Sequence, residues 1–199
     1  MGVLTTAAVA ESVAEAALAA PARLGTVRLV AVDGPAGSGK TTFAAALAAT
    51  VPDAVVLHLD DLYEGWSGLE GSLWPRLSAQ VLEPLRRRQP GRFQRYDWTL
   101  GAFAEWVDVP VPRLLVLEGC GSARRAVDPI ANVRVWVEAD ERLRLARGLA
   151  RDGAEAQGHW EAWMVEESAH FERESTRERA DLRLDALGAV TWSRWPLDR

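Results

Sequence analysis

The chain has 199 residues and a formal charge of −5, from 23 Lys+Arg against 28 Asp+Glu. That length suits one domain with one core, and 48% hydrophobic with 26% charged residues excludes wholesale disorder. The mild acidity argues against a dedicated nucleic-acid binder, the single Cys120 excludes an intramolecular disulfide and a cysteine-based zinc site, and no apolar run reaches the ~20 residues that span a bilayer.

Residues 1–25 are Ala-rich, with Glu11 and Glu15 at helical spacing and Pro21 ending the run. They predict an N-terminal amphipathic helix packed on the rest of the chain. No basic stretch precedes it, as a secretory signal needs. The start MGVLTT formally fits an N-myristoylation pattern, but the segment reads as a packed helix. Residues 26–199 make up the main domain. Val27 to Asp33 is a continuous apolar run, the pattern of a parallel strand buried on both faces. A Gly-rich turn follows, then a helix over Thr41–Thr50 and a second strand over Ala54–Leu59. Ser72–Arg88 reads as one helix, with Leu73, Leu77, Val81, Leu82 and Leu85 on one face. Arg113–Leu117 and Val133–Val137 are the third and fourth strands. Helices over Asp140–Arg151 and Trp160–Arg173 follow, then a fifth strand at Leu182–Leu184 and an edge strand at Val190–Trp192. Strands alternating with helices imply an α/β fold with a parallel sheet and no second domain.

Two counts stand out. Of the 23 basic residues, 22 are Arg and one is Lys40. Keeping a single lysine against that bias suggests a task that arginine cannot perform. The nine tryptophans exceed what a core this size needs, and leave candidates for stacking on a flat ligand.

The segment Gly34, Pro35, Ala36, Gly37, Ser38, Gly39, Lys40, Thr41 fits G-x-x-x-x-G-K-[ST], and Thr42 extends the nucleotide-binding set. Glycines let the backbone curl so that successive N–H groups face phosphate oxygens. The following helix turns its positive end toward them. Lys40 reaches the β- and γ-phosphates, and the Thr41 hydroxyl ligates Mg²⁺. The match follows a predicted strand and opens a predicted helix, which is the context that gives the motif its meaning.

Two acidic sites end predicted strands. Glu118 closes Leu114–Leu117, where a carboxylate can hold the metal shell beside the phosphate loop. Asp60 and Asp61 follow the second strand, where a carboxylate can accept the proton of an attacking hydroxyl, and either Asp can also cap a helix. Arg144, Arg147 and Arg151, spaced by three and four, share one helix face suited to closing over a transferred phosphoryl group. Arg86, Arg87 and Arg88 read as solvated. His159 and His170 read as structural or surface residues, with no metal-ligand pattern around them.

VAVDGPAGSGKTTFAAAL, LHLDDLY, RYDW, LLVLEG, the R-x-x-R-x-x-x-R-D of Arg144 to Asp152, and ADLRLD occur in that order. Together they resemble the uridine kinase family of P-loop kinases, especially its Arg- and Trp-rich bacterial relatives. The resemblance runs from Val27 to Ala186, roughly four-fifths of the chain. It implies a five-stranded parallel sheet flanked by helices, with ATP as donor and Mg²⁺ as metal. It implies that Asp60 is the catalytic base, with Tyr63 matching the tyrosine of the same motif. It places Tyr96 and Trp98 against the acceptor's base, Glu118 at the acidic position, and Arg144, Arg147 and Arg151 in a lid near 140–155. Two departures fall in the acceptor site. The family's ribose-gripping Asp has no counterpart in Gly65–Ser72, where Glu70 is the one carboxylate, and the family's base-contacting His is replaced near Gly101. Trp66 lies in the same stretch and adds an aromatic wall.

The resulting expectation is a cytoplasmic, Mg-ATP-dependent kinase acting on a hydroxyl of a small, nucleoside-like molecule, with Lys40, Asp60 and the three arginines catalytic. Its partner is that small-molecule acceptor, with no nucleic acid and no membrane, and a homo-oligomer stays open. One alternative is a nucleoside monophosphate kinase, with Arg92, Arg95 or Arg124 holding the acceptor's phosphate. Another is a nucleotide-binding regulatory protein with little turnover.

Overall fold

The computed structural model describes residues 4–196. Gly2, the residue that the myristoylation pattern would modify, lies outside them. The order of elements is α1 (Thr6–Ala19), β1 (Arg28–Asp33), α2 (Lys40–Ala49), β2 (Val55–His58), α3 (Leu73–Leu77), a π-helical turn (Ser78–Leu82) and α4 (Glu83–Arg86). The hairpin β3 (Gly91–Asp97) and β4 (Ala102–Val109) follows, then β5 (Leu114–Glu118) and β6 (Ala131–Val137). Last come α5 (Glu141–Asp152), α6 (Gln157–Glu174), α7 (Thr176–Arg179), β7 (Leu182–Leu184) and β8 (Val190–Ser193).

One sheet runs β2-β5-β1-β6-β7-β8, parallel except for the antiparallel edge strand β8. Apolar residues fill both faces of β1 and β5, and the pleat deals them alternately to two cores. Leu29, Ala31, Leu115 and Leu117 face the core under α3, α4 and α6. Val30, Val32, Leu114 and Val116 face the core under α1 and α2. The N-terminal helix is capped by Thr5, whose hydroxyl accepts from the Ala8 N–H, and buries Val9, Ala10, Val13, Ala14 and Ala17 in that second core. Among the described residues, no helix is long and apolar enough to cross a membrane.

The structure corrects the expected architecture at two places. The helix expected over Ser72–Arg88 is interrupted by the π turn. Pro84, one turn later, has no N–H to offer the carbonyl four residues back, and a wider turn absorbs the mismatch. The hairpin β3–β4 was not expected at all. Its two strands pair Gly91 with Val109 and Asp97 with Ala102 around the turn Trp98–Gly101. Asp97 closes that turn, its carboxylate accepting from the N–H groups of Thr99 and Leu100.

α5 and α6 pack closely at Gly148, where an added Cβ would lie 2.3 Å from the buried Trp160 ring. Gly148→Ala is expected to lower stability by about 1–2 kcal/mol, because overpacking outweighs the better helix propensity of Ala. A thermal melt checks it: Tm should drop by a few degrees, and an unchanged Tm would contradict this packing.

Candidate active site

β1 ends at Asp33, and the chain turns at once into the phosphate loop. At Gly34 (φ +137°) a Cβ would sit 2.1 Å from the Val137 carbonyl oxygen, and at Gly37 (φ +76°) 2.8 Å from that of Arg144. Only glycine fits either place. Asp33 is fully buried and accepts from the N–H groups of Gly34 (2.7 Å), Gly121 (3.0 Å) and Ala123 (2.8 Å). It thereby ties the start of the loop to the turn after β5. Burial holds its carboxyl above the usual range, against the pull of those N–H groups.

The helix α2 opens at Lys40. The Lys40 ammonium is buried and donates to the Pro35 carbonyl at 2.9 Å, with the Cys120 sulfur at 3.7 Å. Burial lowers its pKa, but the neighbouring Cys120, Glu118, Glu167 and Asp60 together hold it above the ordinary lysine value. It therefore carries its charge at neutral pH. Thr41 Oγ1 donates to Glu118 Oε1 at 3.3 Å, so the two expected metal-site residues meet, and Glu118 Oε2 lies 2.6 Å from His58 Nδ1. The buried Ser38 hydroxyl has no partner within the protein.

Asp60 sits in the single turn Leu59–Asp61 after β2. Crowding by the cleft walls, and next the Glu118 carboxylate, hold its carboxyl above the usual range, opposed by Lys40, Arg151 and His58. Its neighbour Asp61 is drawn toward Arg95 of the hairpin, at 3.4 Å. Trp98, also from the hairpin, donates its ring N–H to the Asp60 carbonyl at 3.0 Å. The unexpected hairpin thus holds the turn that carries the candidate base.

Two cavities meet here. One, of about 580 Å³, is lined by Gly37, Gly39, Lys40, Thr41, Thr42 and Arg147 together with the turn Asp185–Gly188 and Thr6. Thr6 donates its hydroxyl to the Leu187 carbonyl, so the N-terminal helix supplies part of this wall. The other, of about 730 Å³, is lined by Lys40, Thr41, Asp60, Glu118, Arg151 and an aromatic group that includes Tyr63, Trp66 and Trp98. Tyr63 is buried and donates to the Cys120 carbonyl. Tyr96 does not line the cavity; its ring packs edge-on behind Trp98 at 5.4 Å.

The three arginines part company. Arg147 donates to the Gly37 carbonyl at 3.0 Å, and Arg151 borders both cavities while paired with Asp152. Arg144, expected on the same open face, is buried instead. It donates to Glu167 at 2.6 Å and to the Ala36 carbonyl at 3.3 Å, which makes it a prop under the phosphate loop. Glu70 is likewise occupied away from the cleft, by His170 and Arg173. Arg92, Arg95 and Arg124 pair with Asp108, Asp61 and Glu105, and Glu70 and Glu174 respectively, and none lines the cleft.

Sequence reasoning passed over several residues of this site. His159, read as structural or surface, lines the cleft and stacks on Trp66 at 5.4 Å and 10°. Trp160 and Trp163 form the buried wall behind it. Glu167 lies inside the predicted helix with no motif around it. The tryptophan count was the available signal for this wall.

No family model matches the chain. It is 26% identical over 132 residues to two Arabidopsis thaliana proteins described as the inorganic pyrophosphatases TTM1 and TTM2. That match covers 62% of this chain and spans about a fifth (20%) of each relative. Among solved structures, a candidate uridine kinase from Bacillus stearothermophilus superposes with a TM-score of 0.62 and 21% identity, over 88% of this chain and 97% of that one. A candidate fructose transport system kinase from Silicibacter sp. TM1040 superposes with a TM-score of 0.63 and 23% identity, over 86% and 95%. These likenesses show the fold: the chain is an α/β protein with the P-loop fold of those two structures.

The buried pair separates from the exposed arginine in a stability measurement. Glu167→Ala leaves the Arg144 charge buried without its counter-charge and should cost about 3–5 kcal/mol. Arg147→Ala removes an exposed side chain and should cost under about 1 kcal/mol. Melting curves that show equal losses would contradict these placements.

Proposed function

We propose that the chain is an ATP-dependent kinase that phosphorylates a hydroxyl group of a small molecule. The observation that carries this reading is that the two cavities share Gly37, Lys40, Thr41 and Arg151. A donor in the first and an acceptor in the second would meet at the one place where the cations converge. Asp60 lies on the acceptor side of that junction.

The residues fit a nucleotide triphosphate and its metal. The glycine cradle admits no Cβ, the buried Ser38 hydroxyl lacks a protein partner, and Lys40 is held charged. Mg²⁺ typically takes one or two protein oxygens and completes its shell with water and phosphate. The Thr41 hydroxyl and the Glu118 carboxylate supply that pair, with Glu118 acting directly or through a water. When bound, the metal neutralises charge on the transferred group. The chain's own residues do the rest. Lys40, Arg147 and Arg151 hold the phosphates. Asp60 orients the acceptor hydroxyl and takes its proton as the oxygen bonds to the γ-phosphorus. The bond to the β-phosphate oxygen breaks, and ADP leaves. A cytoplasmic location is part of this proposal, supported by the ATP that such an enzyme consumes.

The monophosphate-kinase reading draws no support from the cleft lining: none of its three candidate arginines lines it, and Arg95 reaches its edge only as the partner of Asp61. An acceptor screen by ATP consumption tests the main reading. A small alcohol should stimulate ADP formation stoichiometrically with a phosphorylated product. Phosphate release that no alcohol stimulates would favour the regulatory or hydrolytic reading.

Two variants follow. Lys40→Ala should abolish turnover, because no other lysine exists to supply that charge. Asp60→Asn should lower kcat by about 10²–10⁴ with little change in ATP affinity, as loss of a general base does. Asp61→Asn is the comparison, and a larger kcat loss there would transfer the role of base to Asp61.

A further inference from the structure

The polar atoms around the acceptor cavity are unevenly supplied. Four aromatic side chains that line it have already given their donors to the protein. Tyr63 donates to the Cys120 carbonyl, Trp98 to the Asp60 carbonyl, Trp160 to Asp152 and Trp163 to Glu167. What these rings offer a ligand is π surface, with Trp66 and His159 as the remaining ring donors. Arg151 is held by both oxygens of Asp152 at 2.6 and 2.9 Å.

Carboxylates supply most of the rest. Asp60, Asp61, Glu118, Asp152 and Glu155 all line the cavity, against Lys40 and Arg151. Asp61 is paired with Arg95, Asp152 with Arg151, and Glu118 with His58. Among the described residues, Asp60 and Glu155 have no such partner. Lys40 lies at the phosphate junction. The cleft as a whole therefore carries more carboxylates than cations and is walled by aromatic faces. A neutral base with several carbonyl oxygens finds few donors there. A cation finds both a ring quadrupole and counter-charges.

We infer that the acceptor is a cationic alcohol, whose amino or quaternary-nitrogen headgroup sits among Trp66, Trp98 and Trp160 with Asp60 and Glu155 as counter-charges. This rests on the kinase reading of the same cleft for the fate of the hydroxyl, which gives its proton to Asp60 and its oxygen to the γ-phosphorus. Selection of the headgroup is a binding property and is measurable without turnover.

The test uses a matched pair of flat two-carbon alcohols, 1-(2-hydroxyethyl)pyridinium and 2-phenylethanol, titrated calorimetrically into the full chain with Mg-ADP present. The pyridinium should bind at least tenfold tighter, since a desolvated cation–aromatic contact and a counter-charge together reach that size. Glu155→Gln, on an exposed residue, should cut the preference by about threefold or more, and added salt should weaken the pyridinium alone. Equal affinities, tighter binding of 2-phenylethanol, or no binding of either probe would overturn the inference. A pyridinium preference without phosphorylation under Mg-ATP would sink the kinase reading and leave the headgroup assignment standing. Phosphorylation of both probes without preference would do the reverse.

Discussion

Glu167 is 1% exposed and four groups donate to it: the Ala36 N–H at 2.8 Å, the Arg144 guanidinium at 2.6 Å, the Trp163 ring N–H at 3.0 Å and the Cys120 thiol at 3.4 Å. These come from the phosphate loop, from α5, from α6 itself and from the turn after β5. A buried carboxylate is tolerated only when it is paired and its lone pairs are filled. No one of these partners can be withdrawn cheaply, and the four segments are locked into one arrangement. The phosphate loop, the wall of the second cavity and the α5–α6 junction are thus tied together by a single satisfied charge.

The burial of Arg144 explains why helical spacing misplaced one arginine. Arg144 and Arg151 are seven residues apart and lie within about 20° on a helical wheel, so sequence spacing assigns them one face. They are also about 10 Å apart along the axis. At the start of α5 that face meets the phosphate loop and α6, and near its end it meets the open cleft. Periodicity reports the angle of a side chain around its own helix and nothing about what stands opposite. The strands were legible for the converse reason. β1 and β5 are apolar on both faces, and a parallel sheet between helix layers is the arrangement that hides both. The hairpin had a weaker signal. RFQRYD and AFAEWVDV alternate imperfectly, with Gln94 and Arg95 interrupting the first run at the point where the register shifts. The Gly-containing turn between them was the readable cue.

The tryptophans show how far composition goes. Nine rings implied more aromatic surface than a core needs, and the structure divides them by what their N–H groups find. Trp160 and Trp163 are buried with their donors on carboxylates, and Trp136 donates to Glu138. Trp106 and Trp192 are exposed, each with an arginine over its ring, at 5.5 Å from Arg92 and 4.9 Å from Arg183. A basic complement made almost wholly of arginine suits this, because a guanidinium can lie flat on an indole. Trp66 remains at the cleft, with edges of Trp98, Trp160 and Trp163 around it at 5.6 to 6.2 Å.

The one lysine is the counterpart of that pattern. Lys40 is 6% exposed, and its ammonium fits a space bounded by the Pro35 carbonyl and the Cys120 sulfur, with Asp60, Glu118 and Glu167 close enough to hold its charge. A guanidinium there would need room for a planar fork and partners for five N–H groups. The loop offers a compact charge one carbonyl as a tether, and the residue lines both cavities. The tether places the charge at the boundary that both cavities share. In the kinase reading proposed above, that charge serves both donor and acceptor and need not distinguish the two. Discrimination is left to the separate walls: backbone and the turn Asp185–Gly188 on one side, aromatic faces and carboxylates on the other. In that kinase reading, the transferring centre can stay constant while the acceptor wall changes its chemistry, which is how a phosphate-loop motif and an altered acceptor stretch coexist in one chain.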